Sequence, residues 1–332
     1  MPEPPLPGVT QRFVETNAVR LRIAEAGSGP LVLLLHGFPE SWYSWRHQLT
    51  ALATAGYHAV APDMRGYGAS EAPPNVDDYD IAHLVGDAAG LVEALGEQRA
   101  VVVGHDWGAI IAWQCALLRP DRFRAVAALS VPYTGRSPVA PVSAWRRRFG
   151  DNFFYILYFQ PPGVAESEFD AEPRRLLRRL YQSPGAAIAA PPEITDPLMR
   201  AGGWIGRLPE PAGLPTWLSD GDLDYYVEQF ARSGFRGPVN YYRNFDRNWE
   251  LTPQLAGTPV AQPALFIAGE RDPVIVRGGI MGAGDDLELH VRAAVPDLRG
   301  WVLVPDAGHW IQQERPAEVN AALIAFLDAL PG

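Results

Sequence analysis

The chain has 332 residues, of which 47% are hydrophobic and 20% charged, and a formal net charge of −10 at pH 7. The length suits a core carrying an inserted subdomain, the composition is that of an ordinary globular protein, and the negative balance argues against nucleic acid or an anionic membrane as a partner. A single cysteine, Cys115, excludes an intrachain disulfide, and its place in an apolar helix-like run reads as a buried, inert thiol.

The N-terminal stretch Met1-Pro2-Glu3-Pro4-Pro5-Leu6-Pro7-Gly8 lacks the basic start and apolar run of a signal peptide. No apolar run approaches the ~18 residues of a membrane span, so a cytoplasmic location is expected. A first strand is predicted at 12–15. Asn17-Ala18 then turns the chain into a second, where Val19, Leu21 and Ile23 alternate with Arg20 and Arg22 as in a half-buried strand. Short apolar runs at 31–35, 58–61, 100–103 and 125–129 read as strands buried on both faces. Leu84, Val85, Ala88, Leu91, Val92 and Leu95 share one face of a helix that Gly96 ends. Strand alternating with helix predicts an α/β fold with a mostly parallel sheet flanked by helices.

The rhythm breaks near Pro132. From there to about Trp249 the chain is rich in aromatic residues, arginine, proline and glycine, with no run that reads as a buried strand. Helices are predicted at 145–159 and 223–232, the second with Ser219 and Asp222 spaced as a capping box and Gly234 as its stop. Strands return at 264–268 and 301–304, followed by a closing helix at 317–330. The pattern predicts a core in two parts, 1–133 and 251–332, with a helical cap at 134–250. The cap would lie over the carboxyl edge of the sheet, where open α/β folds bind ligands.

The run Val101-Val102-Val103 leads into Gly104-His105-Asp106-Trp107-Gly108 and then a helix-like stretch. This has the form of a nucleophile elbow, a strand–turn–helix with small residues on either side of an exposed central side chain. Glycine stands two residues to each side because so tight a turn leaves no room for a side chain. The central residue is aspartate. With an ordinary pKa of ~3.9 it needs no base to become a nucleophile at neutral pH. A carboxylate here suits displacement at a saturated carbon and leaves an ester on the enzyme. The plainer alternative is that Asp106 only caps the helix behind it.

Two further groups follow strands. Gly269-Glu270-Arg271-Asp272-Pro273 comes after 264–268, and Asp306-Ala307-Gly308-His309-Trp310 after 301–304. The order nucleophile, acid, histidine places Asp272 on one nitrogen of His309 and leaves the other to activate water. Glu270 is the rival acid, while His36 and His105 are read as structural groups behind the pocket. The turn Leu35-His36-Gly37-Phe38-Pro39 follows a buried strand. The backbone N–H groups of Phe38 and Trp107 are expected to form an oxyanion hole, with Pro39 a candidate for a cis peptide.

Together these features resemble the soluble epoxide hydrolases of the α/β-hydrolase superfamily, in particular the bacterial cap-domain enzymes. The resemblance spans nearly the whole chain and includes HGFPESWYSWRHQ from His36, DMRGYGAS from Asp63, GHDWG from Gly104 and GHWIQQERP from Gly308. Two cap stretches, Tyr155-Ile156-Leu157-Tyr158-Phe159-Gln160 and the segment from Gly234 to Asn244, look like the family's tyrosine segments. By residue type alone Tyr158 and Tyr241 are equal candidates. The resemblance implies Tyr155 and Tyr242 as the donors that polarise and protonate the epoxide oxygen. It further implies a detoxification-type hydrolase without cofactor or metal that takes a small epoxide with an apolar body to a vicinal diol. Asp63 and Arg65 are assigned to the scaffold. The nearest rival is a haloalkane-type dehalogenase, which shares the aspartate but needs donors for a departing halide; Phe38 offers no side-chain N–H, although Trp107 does. A non-catalytic ligand-binding protein on the same fold is the rival from another class, and the complete triad argues against it.

Overall fold

The computed structural model describes residues 6–181, 203–276 and 286–331. Residues 1–5 of the stretch searched for a signal peptide, and parts of the expected cap and second core segment, lie outside them. Eight strands form one sheet: β1 (Thr10–Thr16), β2 (Val19–Ala26), β3 (Leu31–Leu35), β4 (His58–Pro62), β5 (Ala100–His105), β6 (Phe123–Leu129), β7 (Ala264–Gly269) and β8 (Leu298–Val304). Their order is β1-β2-β4-β3-β5-β6-β7-β8. β2 runs antiparallel to β1 and β4, and the remaining pairings are parallel. β1 and β2 meet at a tight turn in which Asn17 and Ala18 both take positive φ, 44° and 59°. That hand matches the twist of a two-residue hairpin.

The central strands are built of Val, Leu, Ile, Ala and Phe because helices cover both faces of the sheet. Among these, α1 (Arg46–Thr54) packs on β4, α2 (Ile81–Ala94) on β1, and α3 (Trp107–Leu118) on β5 and β6. Cys115 lies buried in α3, where burial raises its thiol pKa and leaves it unreactive.

Between β6 and β7 the chain leaves the sheet and forms α4 (Pro141–Phe149), α5 (Tyr155–Tyr158), α6 (Val164–Ala171), α7 (Pro173–Leu180), α8 (Asp220–Ser233), α9 (Arg236–Arg243) and α10 (Phe245–Leu251), with no strand among its described residues. It then returns through β7, α11 (Leu287–Ala294), β8, α12 (Ile311–Glu314) and α13 (Pro316–Asp328), the last packing on β7 and β8. Phenol hydroxyls tie the inserted helices to the core. Tyr181 donates to the Pro39 carbonyl at 2.7 Å, Tyr241 to the Arg65 carbonyl at 2.8 Å and Tyr226 to Gln313 at 2.9 Å; Tyr43 of the core donates to Asp222 at 2.7 Å. No helix among the described residues is long and apolar enough to cross a membrane.

Two local readings are corrected. The helix expected at 145–159 is two helices, α4 and α5, parted at Gly150, where φ is +52°. Phe149 and Phe154 stack across the break with centroids 4.2 Å apart. The second correction concerns β2, where the alternation placed Arg22 on the wet face. Its side chain is instead 5% exposed and pairs with Asp63, itself fully buried, at 2.5 Å. Gln229 of α8 accepts from the same guanidinium at 2.6 Å. The inserted helices cover this strand, so the charge is buried with its partners.

Candidate active site

The elbow is where the sequence places it. Asp106 joins β5 to α3 with φ 52° and ψ −116°, a conformation that non-glycine residues rarely hold. A side-chain carbon at Gly104 would run into the carbonyl of Gly108, and one at Gly108 into the carbonyl of Leu35. Gly37 is excluded from any larger residue by the Asp106 side chain itself. The carboxylate does not cap α3. Its Oδ1 accepts from the Phe38 backbone N–H at 2.8 Å, and the Trp107 backbone N–H also favours the charged carboxylate. The peptide before Pro39 is cis.

His309 sits opposite. Its Nε2 is 3.7 Å from Asp106 Oδ2 and its Nδ1 is 3.1 Å from Asp272 Oδ1. The structure thus brings Asp106, His309 and Asp272 together at the carboxyl ends of β5, β7 and β8. Glu270 is exposed and carries no such contact. Burial favours the neutral form of every one of these groups, and their mutual charges decide the outcome. For Asp106, burial prevails and raises the carboxyl pKa, although His309, His105 and the two N–H groups pull against it. For Asp272, burial is outweighed by His309 and by hydrogen bonds, including one from Ser130, and its pKa falls. For His309, burial is outweighed by Asp272 and Asp106, and its pKa rises to about 9.

Sequence reasoning missed two neighbours of this centre. Ser130, one residue past β6, is fully buried with φ +73°, and its Oγ lies 2.9 Å from His309 Nδ1. Glu40 is buried beneath the pocket, where His105 Nδ1 lies 2.8 Å from one carboxylate oxygen and the Gly37 N–H donates to the same oxygen. His105 Nε2 reaches the His309 carbonyl at 2.7 Å. Burial raises the Glu40 carboxyl, yet His105 and these donors hold its pKa below the ordinary range. His36 accepts from the Met64 N–H at 3.0 Å through Nε2. His36 and His105 therefore brace the loops around the site. Ser130 carried one available signal: it follows a predicted central strand and so falls on the edge that bears the other groups.

A cavity of about 550 Å³ opens beside Asp106, and Tyr155, Tyr242, Trp107, Trp145 and Phe245 help to line it. Tyr155 and Tyr242 come from α5 and α9 with ring centroids 5.9 Å apart. Neither hydroxyl donates to a protein acceptor among the described residues. Tyr158 donates to Glu168 at 2.8 Å and Tyr241 to the Arg65 carbonyl at 2.8 Å, so their protons are engaged elsewhere. Burial, and after it the charge of Asp106, raises the phenol pKa of both Tyr155 and Tyr242, which keeps the two protonated. Among the described residues no group of three or more His, Cys, Asp or Glu side chains is placed to hold a metal ion.

The alpha/beta hydrolase fold family matches residues 30–316 of the chain. Over 326 residues the chain is 51% identical to Epoxide hydrolase A of Mycobacterium tuberculosis, covering 97% of this chain and 98% of that one. Among solved structures it is similar to Epoxide Hydrolase A from Mycobacterium thermoresistibile, with a TM-score of 0.88, 50% identity, and 97% and 99% of the two chains covered. It is likewise similar to an epoxide hydrolase from an endophytic Streptomyces, at a TM-score of 0.89, 44% identity, and 97% and 96% coverage. The aspartate elbow, its histidine partner and this likeness over nearly the full length agree, and the chain belongs to the epoxide hydrolases of the α/β-hydrolase fold.

Proposed function

We propose that the protein adds water to small epoxides to give vicinal diols by way of an ester on Asp106, and that segment 134–250 serves as the lid carrying the acid. One observation carries the reading: the Asp106 carboxylate shares its cavity with two phenols whose protons have no acceptor among the described residues, unlike those of Tyr158 and Tyr241. Asp106 Oδ2 attacks a ring carbon, a new C–O bond forms, and the ring C–O bond breaks. The departing oxygen remains on the substrate as an alkoxide and takes a proton from Tyr155 or Tyr242. His309 Nε2 then removes a proton from water, which adds to the carbonyl carbon of the ester. Oδ1 becomes the oxyanion, held by the Phe38 N–H that already binds it, with the Trp107 N–H as the second donor. Collapse breaks the bond between the acyl carbon and the original Oδ2, the leaving alkoxide takes the second water proton from the newly added oxygen to complete the diol, and the proton taken by His309 returns to the phenolate. Asp272 fixes the imidazole and stabilises its cation.

A single turnover in ¹⁸O-water with enzyme in excess tests this. The first diol is expected to carry no solvent label, and the label to enter the Asp106 side chain, as read by peptide mass spectrometry. Immediate labelling of the diol would mean that water activated by His309 attacks the epoxide directly, and the ester route would be wrong.

A further inference from the structure

The cavity extends well beyond the reacting groups. α3 forms part of its wall, and Gln114 lies roughly 12 Å from Asp106 along a helix that rises about 1.5 Å per residue. Arg136, Ser137 and Trp249 line the same cavity, with the apolar side chains of Ile110, Trp113 and Tyr133 also on its wall. Arg136 has no carboxylate partner among the described residues. Its Nη2 donates to the Trp249 carbonyl at 2.7 Å, and its guanidinium carbon stands 4.2 Å from the centre of a Trp249 ring. Among the described residues its Nε is buried with no hydrogen-bond partner, as is Oε1 of Gln114. Buried donors in folded proteins are nearly always satisfied, and this orphan belongs to a side chain that lines the cavity.

We propose that this part of the cavity is a carboxylate subsite, in which Arg136 binds the anionic tail of an epoxide with an apolar body and so sets which epoxides are preferred. The proposal rests on the epoxide reading of the Asp106 site. A planar guanidinium matches a carboxylate in shape and charge. Stacking on Trp249 and the bond to its carbonyl hold that plane in place before any ligand arrives. The Gln114 amide, turned over about its last bond, presents a further N–H. A protein with a net charge of −10 repels anions at long range. An arginine in the cavity with no carboxylate partner among the described residues reverses that preference locally.

The test compares a saturated terminal-epoxide carboxylic acid, its methyl ester and the tail-less styrene oxide. Wild type is expected to favour the acid over the ester by roughly ten-fold or more in kcat/KM, the usual scale for a hydrogen bond to a charged group. In Arg136→Gln the acid-to-ester ratio falls toward one, through KM for the acid. Arg136→Lys lies between, since it keeps the charge without the fork. Equal rates for acid and ester in wild type, or an equal loss on both in Arg136→Gln, overturn the subsite while styrene oxide turnover leaves the epoxide reading standing. An enzyme that opens none of the three overturns the epoxide reading and the subsite with it.

Discussion

Protons with no acceptor among the described residues separate Tyr155 and Tyr242 from their neighbours Tyr158 and Tyr241, whose hydroxyls donate to Glu168 and the Arg65 carbonyl. Residue type could not make that choice, because a phenol in an aromatic-rich lid is as serviceable for packing as for catalysis. The distinction lies in where each hydroxyl points, which the helix break at Gly150 and the start of α9 decide. Tyr155→Phe and Tyr242→Phe are each expected to slow ester formation on the order of 10²–10³-fold, the usual cost of one donor to a developing oxyanion. The double change should nearly abolish it. Tyr158→Phe should leave the step close to wild type. Rapid-quench measurement of the enzyme-bound ester reads this directly, and a damaging Tyr158→Phe beside a harmless Tyr155→Phe would reverse the assignment.

The charge of His309 sets a pH dependence at the same scale. Its pKa of about 9 means the imidazole is protonated at neutral pH in the resting enzyme. As a base it must be neutral, so ester breakdown rises with pH toward that value. On the proposed route ester formation discharges Asp106, one of the three anions that raise His309 beside Asp272 and Glu40, and the proton is then held less tightly. Ester formation needs an ionised Asp106 and a protonated phenol, neither of which requires a neutral His309. The fraction of enzyme held as ester in the steady state should therefore grow as pH falls from 9 toward 6. Intact-protein mass spectrometry after acid quench would show it, and a fraction that grows with rising pH would contradict this assignment of the base.

At the scale of elements, periodicity located the central strands to within a residue or two because they are buried on both faces and interrupted by glycine and proline. α1 escaped notice for the converse reason. Its buried face includes Arg46 and Gln48, which bond to Gln313, the Gln312 carbonyl and Asn320 far along the chain. Polar residues satisfied by distant partners look like surface in a sequence. Arg22 misled in the same way. The helix α8 was legible because its signals are local: Ser219 Oγ accepts from the Asp222 N–H at 3.1 Å and Asp222 accepts from the Ser219 N–H at 2.9 Å. Ser219→Ala should cost about 1 kcal/mol. In urea denaturation this lowers the midpoint while activity at 25 °C is kept, and an unchanged midpoint would mean that the Tyr43–Asp222 contact alone fixes the start of α8.

At the scale of the whole molecule, the α/β class followed from the alternation of strands and helices, and the triad from the rule that such sheets carry their chemistry at one edge. Strand order was not legible, since nothing in the composition of β3 or β4 says that the chain crosses over to place β4 between β2 and β3. The role of Ser130 was hidden too. No motif announces a lone serine beyond its place after a predicted strand, and it takes the docking of β6 beside β7, with β8 next to β7, to bring it to His309.

That docking has a consequence for how such an enzyme can change over generations. β6 and β7 are direct neighbours in parallel register, from Val126 opposite Ala264 to Leu129 opposite Ile267, although the whole helical insert lies between them in the chain. The insert is a loop in the topological sense, and its length is free to drift without altering any strand pairing. On the proposed mechanism nucleophile and acid are thus inherited on separate modules: the carboxylate belongs to the sheet, the phenols to the excursion. An ancestor that exchanged the excursion for one without tyrosines would keep the power to alkylate Asp106. It would lose only those substrates whose departing oxygen must be given a proton.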